Sequence, residues 1–210
     1  MKLCFSGLLI IIFSFNSFSQ SSYQKFKKLS GPKKWWVIFH PFKAKKTLTI
    51  SKEANRVTDS IKKTNTLDGD HSGGQVDAFR HAFWMANLRI KIGKSAARSL
   101  GKAHEKENYQ YYKKRKLEEG TIPDKASMDM DLYNNKIGLS LVKKGENISR
   151  KKLVERVITA IKEGKMLIIK KNTKKEFLTC KGNLIKTEAL KGKWKNDKCL
   201  LKSNGQSYVN

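Results

Sequence analysis

Residues Gln75 to Ile92 read QVDAFRHAFWMANLRIKI, and this stretch decides the fold. Apolar residues occur on nearly every side of it, which marks a helix buried in a domain rather than one lying on its surface. At about 100° per residue, Phe79, Ala82, Phe83, Ala86 and Ile90 share one side. Asp77, His81, Trp84 and Leu88 share the other. A carboxylate and an imidazole one turn apart, set among aromatic rings, form the most chemically loaded spot in the chain.

Two later helices are expected to meet it. The first begins near Lys94 and runs to about Lys114. On it Ala97, Leu100, Gly101, His104, Asn108 and Tyr111 share a face, and the small residues allow a close approach that carries His104 toward the core. Glu105 points about 100° away. The second starts near Ser127, and its Met128, Asp131, Asn135, Gly138 and Val142 share a face. Burying ionisable groups unpaired is costly, so Asp77, Arg80, His81, His104, Glu105, Asp131, Asn134 and Asn135 are expected to satisfy one another. That allows three uses. One is a structural network pinning three helices in register. Another is a divalent-metal site with His81, His104, Asp77 and Asp131 as ligands. The third is a metal-free site with His81 or His104 as general base, oriented by Asp77 or Asp131, and Arg80 holding an anion.

Around these helices the chain is punctuated simply. Thr49 or Ser51 is expected to cap a helix ending near Lys63, with Ile50, Ala54, Val57 and Ile61 recurring at helical spacing. The loop Asn65 to Gly74 contains Asp68, Asp70 and Ser72, as a calcium loop would. Its twelfth position is Phe79, where such a loop needs a bidentate Glu, so an EF-hand is set aside. Ser149 is expected to cap a last helix ended by Gly164, with Leu153, Val154, Val157, Ile158 and Ile161 as its apolar stripe. Met166 to Ile169 reads as a short strand.

The ends differ from the middle. Lys2, the apolar run Leu8 to Phe13 and the small residues Ser17 and Ser19 fit an export signal over residues 1–19, too short to span a bilayer. The protein is therefore expected to be exported, to the periplasm or beyond, with no transmembrane segment once the signal is removed. Residues 20–49 are basic with interleaved aromatics, including Trp35, Trp36, Phe39 and Phe42, and are expected to pack on the domain, a membrane-surface contact being the alternative. Residues 171–210 read as a Lys- and Gly-rich β-like extension, with Cys180 and Cys199 expected to bridge in an oxidising compartment. The apolar stripes are complete by Ile169, so this extension is expected to be dispensable for folding. Net charge is +27, with 38 Lys against 7 Arg. Nucleic-acid readers lean on Arg, so the excess points instead to an anionic envelope polymer or to phospholipid head groups. Lysine alongside much Ile and Asn is also what an AT-rich coding sequence produces.

The stretches GGQVDAFRHAFW, GKAHE and MDLYNN, in this order and spacing, resemble a bacterial secreted domain-of-unknown-function family. Its members carry DAFRHA, AHE and MDLxNN, alone or at the C-terminal end of large toxin-like secreted proteins. The resemblance runs from roughly Ile50 to Ile169 and maps onto Asp77, Arg80, His81, His104, Glu105, Asp131, Asn134 and Asn135. It departs at Tyr133, where a His is expected in many members. It implies a mainly helical domain and hints at enzymatic ancestry, without supplying a reaction.

The expected fold is mainly α: a single helical domain of about five helices over residues 50–170, with a short β-like C-terminal appendage. The leading functional expectation is a hydrolase, metal-assisted or His-based, acting on an anionic envelope or phosphoester substrate. The alternative is a non-catalytic envelope-binding protein whose polar cluster is structural.

Overall fold

The computed structural model describes residues 23–117 and 121–208. The export signal expected over residues 1–19 lies outside them. In chain order the elements are α1 Gly31–Phe39, α2 Pro41–Lys62, α3 Gln75–Ile92, α4 Lys94–Lys113, α5 Lys125–Ser140, α6 Arg150–Lys162, β1 Leu167–Ile169, the one-turn α7 Thr187–Leu190, and β2 Leu200–Lys202. The architecture is mainly helical with one two-stranded antiparallel sheet, in which Leu167 pairs Lys202 and Ile169 pairs Leu200.

Helix α3 is the axis of this arrangement. It packs against α2, α4, α5, α6 and β1, and most of its residues are buried. Phe79 and Phe83 stack at 5.5 Å in a core completed by Leu153, Val157 and Ile161 of α6. Met85, Leu88 and Ile92 face a second core with Ala96, Ala97 and Leu100 of α4 and Trp36 of α1. The sharpest contact is with α5. A Cβ on Gly138 would stand 2.4 Å from the Ala82 carbonyl oxygen and 2.6 Å from its Cα, so this glycine lets the two backbones touch.

The expectation of about five helices is corrected at the N-terminal side. Residues 31–39 form α1, and α2 begins at Pro41, well before Thr49. Both helices carry proline in the first turn, where its fixed φ is preorganised and its missing N–H costs nothing. The expected caps point inward along the helix instead: Ser51 Oγ donates to the Thr47 carbonyl at 2.9 Å, a back-bond to the preceding turn. Ser149 does cap α6, accepting from the Lys152 amide at 3.3 Å. Asp124 caps α5, accepting from the Ser127 amide at 2.9 Å.

The C-terminal segment is tied into the helices rather than appended to them. Cys180 and Cys199 are joined by a disulfide. Ser203 Oγ donates to the Ile161 carbonyl at 2.7 Å, Lys198 pairs with Asp124 at 2.6 Å, and Trp194 packs edge-on to Tyr109. Residues 171–208 therefore cover buried Leu167 and Ile169. This revises the expectation that they are dispensable, because their removal would uncover β1 and strip Asp124 of its cation.

Candidate functional site

The site forms where the start of α3 meets the middle of α5. The loop before α3 is held by its own carboxylates. Asp68 accepts from the Asp70 and Gln75 amides at 2.9 and 2.7 Å. Asp70 accepts from the Ser72 amide at 3.0 Å and from Lys171 Nζ at 2.6 Å. These acidic groups are thus spent on local structure, in keeping with setting a calcium loop aside. The chain then turns at Gly73, whose φ is +89°. Its carbonyl accepts from the Ile169 amide at 2.7 Å, and a Cβ there would lie 2.9 Å from Ile169 Cδ1. Glycine at this point lets β1 close one wall of the site.

Asp77 sits in the first turn of α3. Its Oδ2 accepts from the Gly73 amide at 2.7 Å, and its Oδ1 accepts from Arg80 Nη2 at 2.6 Å. One turn on, His81 Nδ1 lies 3.2 Å from Asn135 Oδ1 of α5. With Nδ1–H donating to that amide oxygen, Nε2 carries the lone pair. It faces Asp131 Oδ1 at 3.2 Å and Asp77 Oδ1 at 3.6 Å, with Arg80 Nη2 also 3.2 Å away. Asp77, His81 and Asp131 are all buried, and one ligand atom from each lies within 4.8 Å of the others.

Electrostatics follow from this burial. Desolvation pushes the His81 imidazole down and the Arg80 charge adds to that. Although Asp77 pulls the other way, the pKa falls to about 3, and the ring is neutral near pH 7. Burial alone would raise the Asp77 carboxyl, but Arg80, His81 and the Gly73 amide outweigh it and hold it below its ordinary value.

A cavity of about 30 Å³ opens against Asp77, Arg80 and Asp131. A water needs about 10–15 Å³, so one or two small species fit and a polymer does not. Its far wall is Phe177 and Lys198 of the C-terminal segment. Lys198 Nζ stands 3.7 Å from the Phe177 ring centre while pairing with Asp124.

The remaining expected site residues take other places. His104 borders the cluster without joining its three convergent ligand atoms, its ring centre 6.3 Å from that of His81 and edge-on to Trp84 at 5.7 Å. Its Nδ1 lies 3.7 Å from Glu107 Oε2, and Glu107 is bonded to Lys33. Glu105 is buried, accepting from Asn108 Nδ2 at 3.2 Å. It lies one turn beyond Gly101, on the helix face that touches Asn135. Asn134 acts on the fold: its amide donates to the Leu167 carbonyl at 2.9 Å and accepts from the Leu167 amide at 2.8 Å. It thereby satisfies β1 as a neighbouring strand would. Tyr133, where the resemblance expects His, packs edge-on to Tyr208 at 5.9 Å, on the β1 side of α5. Sequence reasoning missed Lys198 and Phe177. With lysine so abundant, one buried Lys carries no local signal, and the strand signals around Phe177 to Cys180 and Lys198 to Leu201 are too weak to say what they pack on.

Fold and site together define a helical domain with a buried carboxylate–imidazole cluster at a three-element junction. The chain belongs to the domain-of-unknown-function family DUF6973, whose model matches residues 34–165. No curated protein and no solved structure matches the chain. The matched region contains Asp77, Arg80, His81, His104, Glu105, Asp131, Asn134 and Asn135. It ends before β1, so Ile169, Phe177 and Lys198 enclose the cavity from outside the family region.

Away from this cluster, two carboxylates make the fold acid-sensitive. Burial would raise Glu107, but the nearby His104 ring and the hydrogen bond and charge of Lys33 bring it down from 4.5 to about 2. Asp124 is also depressed: burial opposes, while Lys198, the Ser127 amide and Asn196 prevail. Such groups stabilise the fold above their unfolded pKa, and that contribution is lost as pH falls through the folded value. Denaturant unfolding is expected to show stability dropping from about pH 4.5 toward pH 2. In Glu107→Gln the drop should be shallower over that range. An identical pH profile for parent and variant would show that Glu107 is not responsible.

Proposed function

We propose that this domain is an exported hydrolase that binds a divalent cation at Asp77, His81 and Asp131 and acts on phosphoester or other anionic envelope substrates. One observation carries the reading. One ligand atom each from Asp77, His81 and Asp131 lies within 4.8 Å of the others in a buried site, the spacing at which three donors can share one cation. The donors are carboxylate oxygens and an imidazole nitrogen, a set suited to zinc, manganese or ferrous ions rather than soft copper(I). Three protein ligands leave coordination positions for water, as catalytic sites require.

A divalent ion held there would supply a Lewis acid and a water of lowered pKa. Asn135 fixes the His81 ring through Nδ1 and keeps Nε2 on the carboxylate side, the outer-shell role that sets tautomer and orientation. Arg80 borders the cavity and is placed to hold an anionic oxygen of the substrate. Its Nη2 lies beside the same Nε2, so guanidinium and ion compete for one lone pair. Arg80→Ala is therefore expected to bind the ion more tightly while losing turnover. The bridged Cys180 and Cys199 support an oxidising compartment.

The smallness of the cavity favours a second reading, a sealed structural network in a non-catalytic envelope-binding protein. Hydrolysis of bis(p-nitrophenyl) phosphate by the purified chain, with manganese or zinc and then with chelator, separates the two. The hydrolase reading expects metal-dependent turnover that falls about a hundredfold or more in Asp131→Asn. The structural reading expects no turnover and no bound metal, with Asp131→Asn costing stability alone.

A further inference from the structure

We infer that the outward half of the N-terminal aromatic segment, at α1 and the start of α2, is a docking surface for an anionic phospholipid bilayer. The segment divides cleanly. Trp36 is buried, its Nε1 donating to the Ala96 carbonyl at 3.1 Å and to Ser99 Oγ at 3.0 Å. Its neighbours turn the other way: Trp35 is 62% exposed, Ile38 52%, Phe39 72% and Phe42 95%. Single exposed apolar residues need no explanation, but four within eight positions form a patch. Trp35, Ile38 and Phe39 fall within roughly a 100° arc of α1, and the Trp35 and Phe39 rings stack at 6.0 Å.

The charge around the patch is of one sign. Residues 23–50 hold eight lysines and no Asp or Glu. A groove of about 580 Å³ runs between α1 and α4, with Trp35 and Phe39 on one side and Lys102 and Lys106 on the other. These two lysines are exposed and one turn apart. Apolar rings flanked by ammonium groups match the acyl boundary and head-group phosphates of a bilayer, with lysine stems lying along the apolar layer. Single-stranded nucleic acid would also take rings and cations. The patch, however, includes aliphatic Ile38, which offers no stacking face, and lysines rather than the forked guanidinium that grips phosphate in two places. Attachment would be interfacial, since no described helix is long and apolar enough to cross a membrane.

Flotation of the full chain with vesicles tests this. The chain is expected to float with phosphatidylglycerol–phosphatidylcholine vesicles at low salt and not with phosphatidylcholine alone. Brominated acyl chains should quench its tryptophan fluorescence, and the quenching should largely vanish in Trp35→Phe. Phe39→Ser with Phe42→Ser removes no core contact and should weaken binding about tenfold or more per ring. Lys102→Glu with Lys106→Glu should weaken it without altering thermal unfolding. The inference is overturned if the parent does not float, or if the Phe39/Phe42 variant floats as well as the parent, which would assign binding to another part such as residues 1–22. It is also overturned if the chain binds a single-stranded oligonucleotide through this patch and ignores vesicles.

Discussion

Replacing Gly138 with alanine is expected to cost about 3 kcal/mol or more, the upper range for forcing atoms into a packed core. The added Cβ would meet the Ala82 carbonyl oxygen at 2.4 Å and the Ala82 Cα at 2.6 Å. Both are backbone atoms, so no rotamer change relieves the clash, and trimming Ala82 to glycine does not either. Helices α3 and α5 must move apart. That motion separates Asp77 and His81 from Asp131 and Asn135, so the variant should also lose the site. Urea midpoints for the parent, Gly138→Ala and the Gly138→Ala/Ala82→Gly pair would measure this. A near-neutral Gly138→Ala would mean that the helices are not in backbone contact.

Lys198→Met is expected to cost about 3–5 kcal/mol, the range for removing one partner of a buried ion pair. The side chains of Lys198 and Asp124 are each 6% exposed, with Nζ 2.6 Å from Oδ2. Asp124 keeps its bonds to the Ser127 amide and to Asn196 Nδ2 at 2.9 Å each, yet it would carry a buried charge without its cation. The same change makes one wall of the cavity apolar and leaves the C-terminal segment held to the start of α5 by Asn196 and by the Trp194 carbonyl, which accepts from the Lys125 amide. Adding Asp124→Asn to Lys198→Met should recover part of the loss, because it removes the orphaned charge while an amide oxygen can still cap α5. A double variant no more stable than the single one would point to lost packing on Phe177 rather than to the charge.

The helical core was legible because its signals are local. The bounds of α3, the faces of α5 and α6, the Ser149 cap and the pairing of Asp77 with His81 all follow from spacing within one element. The meeting of Asp131 and Asn135 with His81 followed from helical phase together with the rule that buried polar groups seek partners. What failed was reading that required knowing what packs on what. On helix α4 the face of His104 was legible, since its ring meets those of His81 and Trp84 on α3, but the burial of Glu105 was not. In the structure α1, α3 and α5 all press on α4, so Glu105 and Glu107 are buried as well. Because α1 was not recognised as a helix, that extra face was invisible. The C-terminal segment was misjudged for a related reason. Its anchors join residues 42 to 128 positions apart, as with Ser203 to Ile161 and to Gln75, and no local pattern encodes such separations.

Calorimetric titration decides whether Asp77, His81 and Asp131 form one divalent-cation site. Manganese or zinc would be added to chelator-treated protein near neutral pH, where His81 is neutral and an ion competes with Arg80 for its Nε2. Saturable uptake of about one ion per chain is expected, lost in Asp131→Asn while the far-UV spectrum stays helical. No uptake by the parent, or equal uptake by parent and Asp131→Asn, would contradict it.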